Sequence, residues 1–455
     1  MFLKNISSGF FSDKKEKKIL VFLMLGIFFV SLLYSIYFHI EPSVDARAYD
    51  NIAWNLVEDN GYKEQANLSY DEDIAILRVG PGYEFFLAGV YFLFGHHYQI
   101  VWVVNALLSA LGAFFVFLIT KQIFKEHWSM PLGLVAAGLI GFSPDLITVN
   151  GMLMTETLGV FLIILSTFLF FRFVGSEQKS SFSISIVVLA VVFGFAVLVR
   201  TPALFLIFPL AGYFIWQRTW KELGVFLVVL TLVFTPWTVR NYQIYHTFIP
   251  TNLAFGYDLL AGNHPGATGE LEPYEGNELF MKEGRIEGNK LALKESLGFI
   301  FSHPIEFLGI TLKRISIYFS FARPTGFWFH LDGMSQALTL AFSAVYSMIL
   351  FIFGFWGIYR MKELIATEKE RAKMLFWMLL MMPLAIIGII VETRYRFLVY
   401  PFFAIFASYG LFDMWRGRME LKAFAAITLL LFSNTLFDAL RNLDRIRERI
   451  GHLFS

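Results

Sequence analysis

About eleven stretches of this chain are apolar for long enough to compete for the interior of a lipid bilayer. They lie near residues 18–38, 98–120, 130–149, 152–173, 182–199, 202–217, 222–239, 334–358, 374–391, 397–415 and 421–438. A helix crosses the hydrocarbon core with roughly 20 apolar residues, and only helices and closed barrels satisfy their backbone there. The expected fold is therefore all-α, a polytopic integral membrane protein of about 11 transmembrane helices. Composition agrees, since 57% of the 455 residues are hydrophobic, 53 of them Phe, and only 16% are charged. The 37 Lys+Arg against 36 Asp+Glu imply no nucleic-acid partner. The absence of cysteine excludes disulfides and thiolate chemistry. No small-residue cleavage site marks the first run as a signal peptide, so it reads as a retained span. No phosphate-cradling glycine loop suggests an ATP-driven pump.

Basic residues set the orientation. Lys14, Lys15, Lys17 and Lys18 precede the first run and place the N-terminus inside. Lys121 with Lys125, Arg172 with Lys179, Arg218 with Lys221, "RMKELIATEKERAK" and Arg416 with Arg418 then fall in successive inner loops. This holds only if "GYEFFLAGVYFLFG" and "FLGITLKRISIYFSF" do not cross, and both read as interfacial helices. The chain then divides into an N-terminal membrane module, 1–239, with a first outer loop at 39–97, a second large outer loop at 240–333, and C-terminal transmembrane helices at 334–455. The first loop carries ten acids against three Lys/Arg, as suits an external segment. The basic tail "RNLDRIRERIGH" falls outside in this count, against the charge rule.

This topology gathers ionisable groups at one rim. Asp45 opens the first outer loop, Arg78 stands in "RVGPGY", Asp145 and Glu156 flank an outer turn, and Arg200 sits in "VRTPAL". Arg240 follows the seventh run, and Glu392, Arg394 and Arg396 stand at the mouth of the tenth. Charges at span ends are costly unless paired or functional. Asp45, Tyr49, Ile52 or Ala53, and Leu56 share one helical face, with Ser43 as N-cap and Asp45 in the first turn. A carboxylate there can take a proton from an acceptor hydroxyl or amine, and clustered guanidiniums suit a phosphate. Each residue also has a blander reading. Asp45 is then a solvated surface acid, Glu156 a dipole-compensating one, Arg394 and Arg396 snorkelling cations, and Arg200 a span terminator. Tyr49 and Trp54 are then belt aromatics, and the adjacent His96 and His97 lack a metal-ligand spacing.

These pieces resemble the polytopic glycosyltransferases of the GT-C fold, the group of protein O-mannosyltransferases and lipid A aminoarabinose transferases. The resemblance is carried by the Asp45–Tyr49–Ala53–Leu56 helix, "RVGPGY", "SPDLITVNGMLMTETL", Arg200 with Pro202, "PWTVRNYQIYHTFIPTNLAFGYDLLAGNHPGATG" and "ETRYRFLVYP". It implies a sugar donor on a polyprenyl phosphate, transfer with inversion, and a site facing outward from the plasma (cytoplasmic) membrane. Asp45 would be the acceptor-activating base. Tyr49, Arg78, Glu156, Arg200, Arg240, Glu392, Arg394 and Arg396 would contact substrate, with Arg394, Arg396 and Arg200 toward the lipid phosphate. The partners implied are that donor, an acceptor of unknown class (protein, lipid or glycan) and the membrane lipids.

The chain departs from the family pattern by placing Val79 and Gly80 between Arg78 and Pro81. No second acid adjoins Asp45, so no cofactor is required, although a divalent cation is compatible. Two alternatives are a lipid-linked glycan polymerase or ligase, working through outer arginines and a histidine, and a secondary transporter. The transporter expects charges at mid-membrane, where these runs have almost none.

Overall fold

The structure, a computed structural model, describes residues 14–124, 128–175, 182–271, 279, 282–321 and 330–443. Helices α1 (Lys14–Phe38), α2 (Asp45–Val57), α3 (Pro81–Phe94), α4 (Tyr98–Ile123), α5 (Ser129–Gly141), α6 (Pro144–Asn150), α7 (Thr155–Val174) and α8 (Phe182–Val199) come first. A 3-10 segment, Thr201–Leu206, leads into α9 (Ile207–Trp216), followed by α10 (Trp220–Tyr245), α11 (Phe255–Gly262), α12 (Arg285–Ser302) and α13 (Pro304–Phe319). The last four are α14 (Gly333–Arg360), α15 (Ala366–Ile387), α16 (Tyr400–Trp415, entered through the 3-10 turn Thr393–Val399) and α17 (Leu421–Arg441). Among the described residues there is no strand, only an isolated bridge between Glu270 and Val391.

By length and apolarity, seven helical units can span a membrane: α1, α4, α7, α10, α14, the α16 unit and α17. An eighth is α5 with α6, bent by 53°. The bend has a local cause. Pro144 has no amide to continue α5, and Ser143 accepts the Leu146 amide at 3.4 Å to cap α6. The other three expected spans are helical but fall short. Helices α8 and α9 are brief, and α15 carries Glu368, Lys369, Glu370, Arg371 and Lys373 in its first half. Among the described residues seven or eight units thus meet the length and apolarity of a span, the expected count of eleven is not confirmed, and the chain is a multi-pass membrane protein. Helices α3 and α13, at 14 and 16 residues, are not among the candidate spans. The basic tail beyond Leu443 lies outside the described residues.

Small residues let the bundle close without a hydrophobic driving force between helices. A methyl group on Gly357 of α14 would strike the Phe406 carbonyl of α16, and one on Gly410 would strike the Phe353 carbonyl. Two devices then fix the rim. Gly80, at φ 156°, and Gly82 lay their backbone on Leu198 at the end of α8, which sets Arg78 beside Arg200. Helix α11 is clamped at both ends. Before it, the Asn252 amide donates to the Val79 carbonyl and, at 3.4 Å, to the Thr201 hydroxyl. After it, the Asn263 amide donates to the carbonyls of Gly388 at 3.3 Å and Ile389 at 3.2 Å. Buried Arg314 of α13 reinforces this second clamp through the Gly262 carbonyl and, at 3.2 Å, the Ile387 carbonyl.

Asp45 is the first residue of α2, as expected, but Ser43 does not cap it. Val44 precedes the helix at φ 50° and ψ −116°, with no side-chain cap. That geometry suits glycine and strains a β-branched residue, at a cost on the order of 1–3 kcal/mol. Val44→Gly is expected to raise the thermal midpoint by a few degrees. An unchanged or lower midpoint would show that Val44 is not strained.

Candidate active site

Asp45 lies at the centre of an ion-pair cluster built from six separate segments. Its Oδ2 meets Arg394 Nη2 at 3.0 Å, across 349 positions of sequence, and its Oδ1 meets Arg78 Nη1 at 3.5 Å. Arg394 also donates from Nε to Glu392 at 2.5 Å, and its Nη1 lies 4.0 Å from Glu156. Glu156, buried in the first turn of α7, accepts from Arg200 Nη1 at 3.1 Å, and Arg200 donates to Thr155 at 3.0 Å. Arg78 is held by Glu64 at 2.7 Å. The Tyr395 ring centre lies 5.5 Å from both the Arg200 and the Arg394 guanidinium, so each cation has an aromatic neighbour. Tyr49 is buried one turn along α2, edge-on to Tyr83 at 5.6 Å.

Arg394 and Glu156 are almost closed off, whereas Asp45 keeps about a fifth of its side chain accessible. The cluster therefore opens at Asp45. An accessible carboxylate flanked by guanidiniums can accept a proton while its neighbours stabilise an anion.

Asp258, at mid α11, was not singled out from sequence. The helix runs from a clamp beside Arg78 and Arg200 to one just before Glu392, which carries Asp258 across the cluster. Its side chain has open surface, and no ion pair holds it among the described residues. Its pKa is pushed up to about 7, first by desolvation and then by Glu392 and Asp45, with Arg394 opposing. A folded-state pKa raised above the ordinary carboxylate value means that stability, full at low pH, is lost as pH rises through about 7. Asp258→Asn should therefore raise the thermal midpoint at pH 8 and leave it unchanged at pH 4. An equal shift at both values would locate the effect elsewhere.

Three other polar groups are placed apart from the cluster. Arg396 is fully buried, donating to the Ser320 carbonyl at 2.8 Å and to Ser347 at 3.1 Å, and it lies 3.6 Å from Asp145. Asp145 in turn accepts from Tyr400 at 2.7 Å and from Ser343. This network joins α6, α14 and α16, and the contacts of Arg396 are with Ser320, Ser347 and Asp145 rather than with the Asp45 cluster. Arg240 is caged by Tyr62, Tyr70, Trp237 and Tyr245, with its guanidinium 4.9–5.8 Å from each ring, so it fastens α10 to the segment between α2 and α3. Asp50 faces away from Asp45 and accepts from Tyr91 at 2.5 Å and Tyr98 at 2.7 Å. Its other partner is the His96 ring at 2.8 Å, which stacks on Trp54 at 4.7 Å.

The architecture is similar to a solved one. The structure of ArnT from Cupriavidus metallidurans bound to undecaprenyl phosphate superposes with a TM-score of 0.52 at 14% identity, covering 90% of this chain and 61% of that one. The fold is that of the GT-C glycosyltransferases. Residues 78–239 match the family model described as dolichyl-phosphate-mannose-protein mannosyltransferase. A further match is the archaeal oligosaccharyltransferase AglB from Archaeoglobus fulgidus, in complex with an inhibitory peptide and a dolichol-phosphate. It has a TM-score of 0.48 and 13% identity, covering 91% of this chain and 54% of that one. No curated protein sequence matches the chain. Among the described residues no group of three His, Cys, Asp or Glu side chains is placed to hold a metal ion.

Proposed function

We propose that this GT-C protein transfers a sugar from a polyprenyl phosphate to an acceptor at the membrane rim that holds Asp45. The observation that carries the reading is the 3.0 Å pair between Asp45 and Arg394, the two groups the chemistry needs side by side. The presence of undecaprenyl phosphate in the ArnT structure and the dolichyl-phosphate description of the matching family support a donor of that class.

In this reading the acceptor's O–H or N–H proton passes to the Asp45 carboxylate as its lone pair attacks the anomeric carbon. The bond from that carbon to the phosphate oxygen breaks on the opposite face, and its electron pair leaves with the polyprenyl phosphate. Arg394, with Arg78 and Arg200 beside it, stabilises the charge that develops on that oxygen. Glu156 and Glu392 hold the guanidiniums in place, and Tyr49 packs beneath the base. Arg396 supports the 3-10 turn carrying Arg394 rather than meeting the phosphate. Arg240 orders the first outer loop.

Comparing cells with and without the protein tests this. Loss of the chain should deplete one glycan of one sugar and accumulate the matching polyprenyl-phosphate sugar, both read by mass spectrometry. Unchanged lipid-linked sugars and glycans would sink the proposal.

A further inference from the structure

Asp145 stands second in α6, directly after Pro144 and the 53° bend between α5 and α6. It is fully buried in the bundle, where an acid without partners is costly. Ser343 of α14 donates to its Oδ1. Its Oδ2 accepts from Tyr400 at 2.7 Å and lies 3.6 Å from Arg396 Nη2. Arg396 and Tyr400 belong to one run of chain, the turn Thr393–Val399 and the first residue of α16, and the same turn carries Arg394. A single carboxylate oxygen therefore grips the Arg394 segment at two points.

The turn converts that grip into an aim. Successive residues of a 3-10 turn lie about 120° apart around its axis, so Arg394 and Arg396, two positions apart, diverge by about 120°. Arg396 reaches the Ser320 carbonyl at 2.8 Å, Ser347 at 3.1 Å and Asp145. Arg394 reaches Asp45 at 3.0 Å and Glu392 at 2.5 Å. A rotation of the turn that frees Arg396 also carries Arg394 off Asp45. Buried ion pairs add little net stability, because desolvation offsets their attraction. What this one supplies is direction.

We infer that Asp145 is a positioning residue: through Arg396 and Tyr400 it fixes the rotation of the Thr393–Val399 turn and so holds the Arg394 guanidinium on Asp45. The broken helix α5–α6 thereby acts on the rim site through the turn. The effect on transfer rests on the proposed function, whereas the effect on the Asp45–Arg394 pair does not.

Thermal unfolding of the purified full chain reads the pair without a transfer assay. In the wild-type background, Asp45→Asn and Arg394→Gln should shift the midpoint non-additively by a few degrees, as groups in contact do. An Asp145→Asn/Arg396→Met background removes both buried charges and leaves Tyr400 and Ser343 a partner. There the two shifts should add to within about one degree. Tyr400→Phe, which deletes one hydroxyl, should shrink the coupling and decides the matter if the double variant does not fold. Glycan product from cells carrying the double variant should fall about tenfold or more. Undiminished coupling in the altered backgrounds overturns the assignment. So does full product from the double variant when Asp45→Asn abolishes it. Full product from both variants sinks the transferase reading instead, and the coupling alone then decides the positioning role.

Discussion

Cells in which Asp45→Asn replaces the wild-type chain are expected to lose the glycan product by about 100-fold or more, within the range that a positioned general base contributes. The amide keeps the shape and removes the basic lone pair. Its neighbours stay satisfied, because Arg394 retains Glu392 at 2.5 Å and Arg78 retains Glu64 at 2.7 Å. The variant should therefore fold, express and still bind undecaprenyl phosphate, which binding to the purified protein would check. This separates chemistry from collapse of the site. Near-normal glycan levels with Asp45→Asn would instead favour a ligase-type reading that relies on arginines and a histidine.

Arg394 carries the second large effect, in both activity and stability. It faces Asp45, Glu392, Glu156 and the Tyr395 ring, and its side chain is 9% exposed. Arg394→Ala strands carboxylates in a nearly closed site, which costs about 3–5 kcal/mol when one partner of a buried pair is removed. A marked fall in the thermal midpoint is expected. Arg394→Lys restores the charge but not the fork that serves several acceptors at once. It should recover most of the stability while leaving transfer about 100-fold down or more, with weaker undecaprenyl phosphate binding. Wild-type transfer by the lysine variant would exclude a geometric role for the guanidinium.

What the sequence made legible was whatever depends on short-range pattern. The four-residue step from Asp45 to Tyr49 put both on one face of α2, and the apolar runs located the helices. Arg394 and Glu156 both stand at span ends, and the structure brings them to 4.0 Å. Two of the expected residues stand apart from the cluster for a shared reason. Arg240 and Arg396 also stand at span ends, and pattern alone did not distinguish them from Arg394. What distinguishes them is the set of rings and carbonyls brought by distant segments: Tyr62 and Tyr70 from the segment between α2 and α3, Ser320 from the end of α13. Asp258 was passed over because "GYDLLAGNHPGATGE" reads as a glycine-rich loop. Its position depends on amide clamps from Asn252 and Asn263 to backbone carbonyls, which leave no periodic trace. Nor could charge counting anticipate Val44 in a glycine-like conformation, since the strain is set by packing around the turn.

The resting pairing of Asp45 with Arg394 and Arg78 also bears on turnover. Under the proposed transfer, the Arg394 and Arg78 guanidiniums are already paired, so an arriving lipid anion has to displace an internal carboxylate, and its grip is the difference between two similar attractions. The same exchange unlocks the base only when the donor is seated. After transfer, as Asp45 gives up the captured proton, it regains its claim on Arg394 and helps expel the spent carrier. A transferase working as proposed would quench itself between cycles in this way and avoid being throttled by its own lipid product.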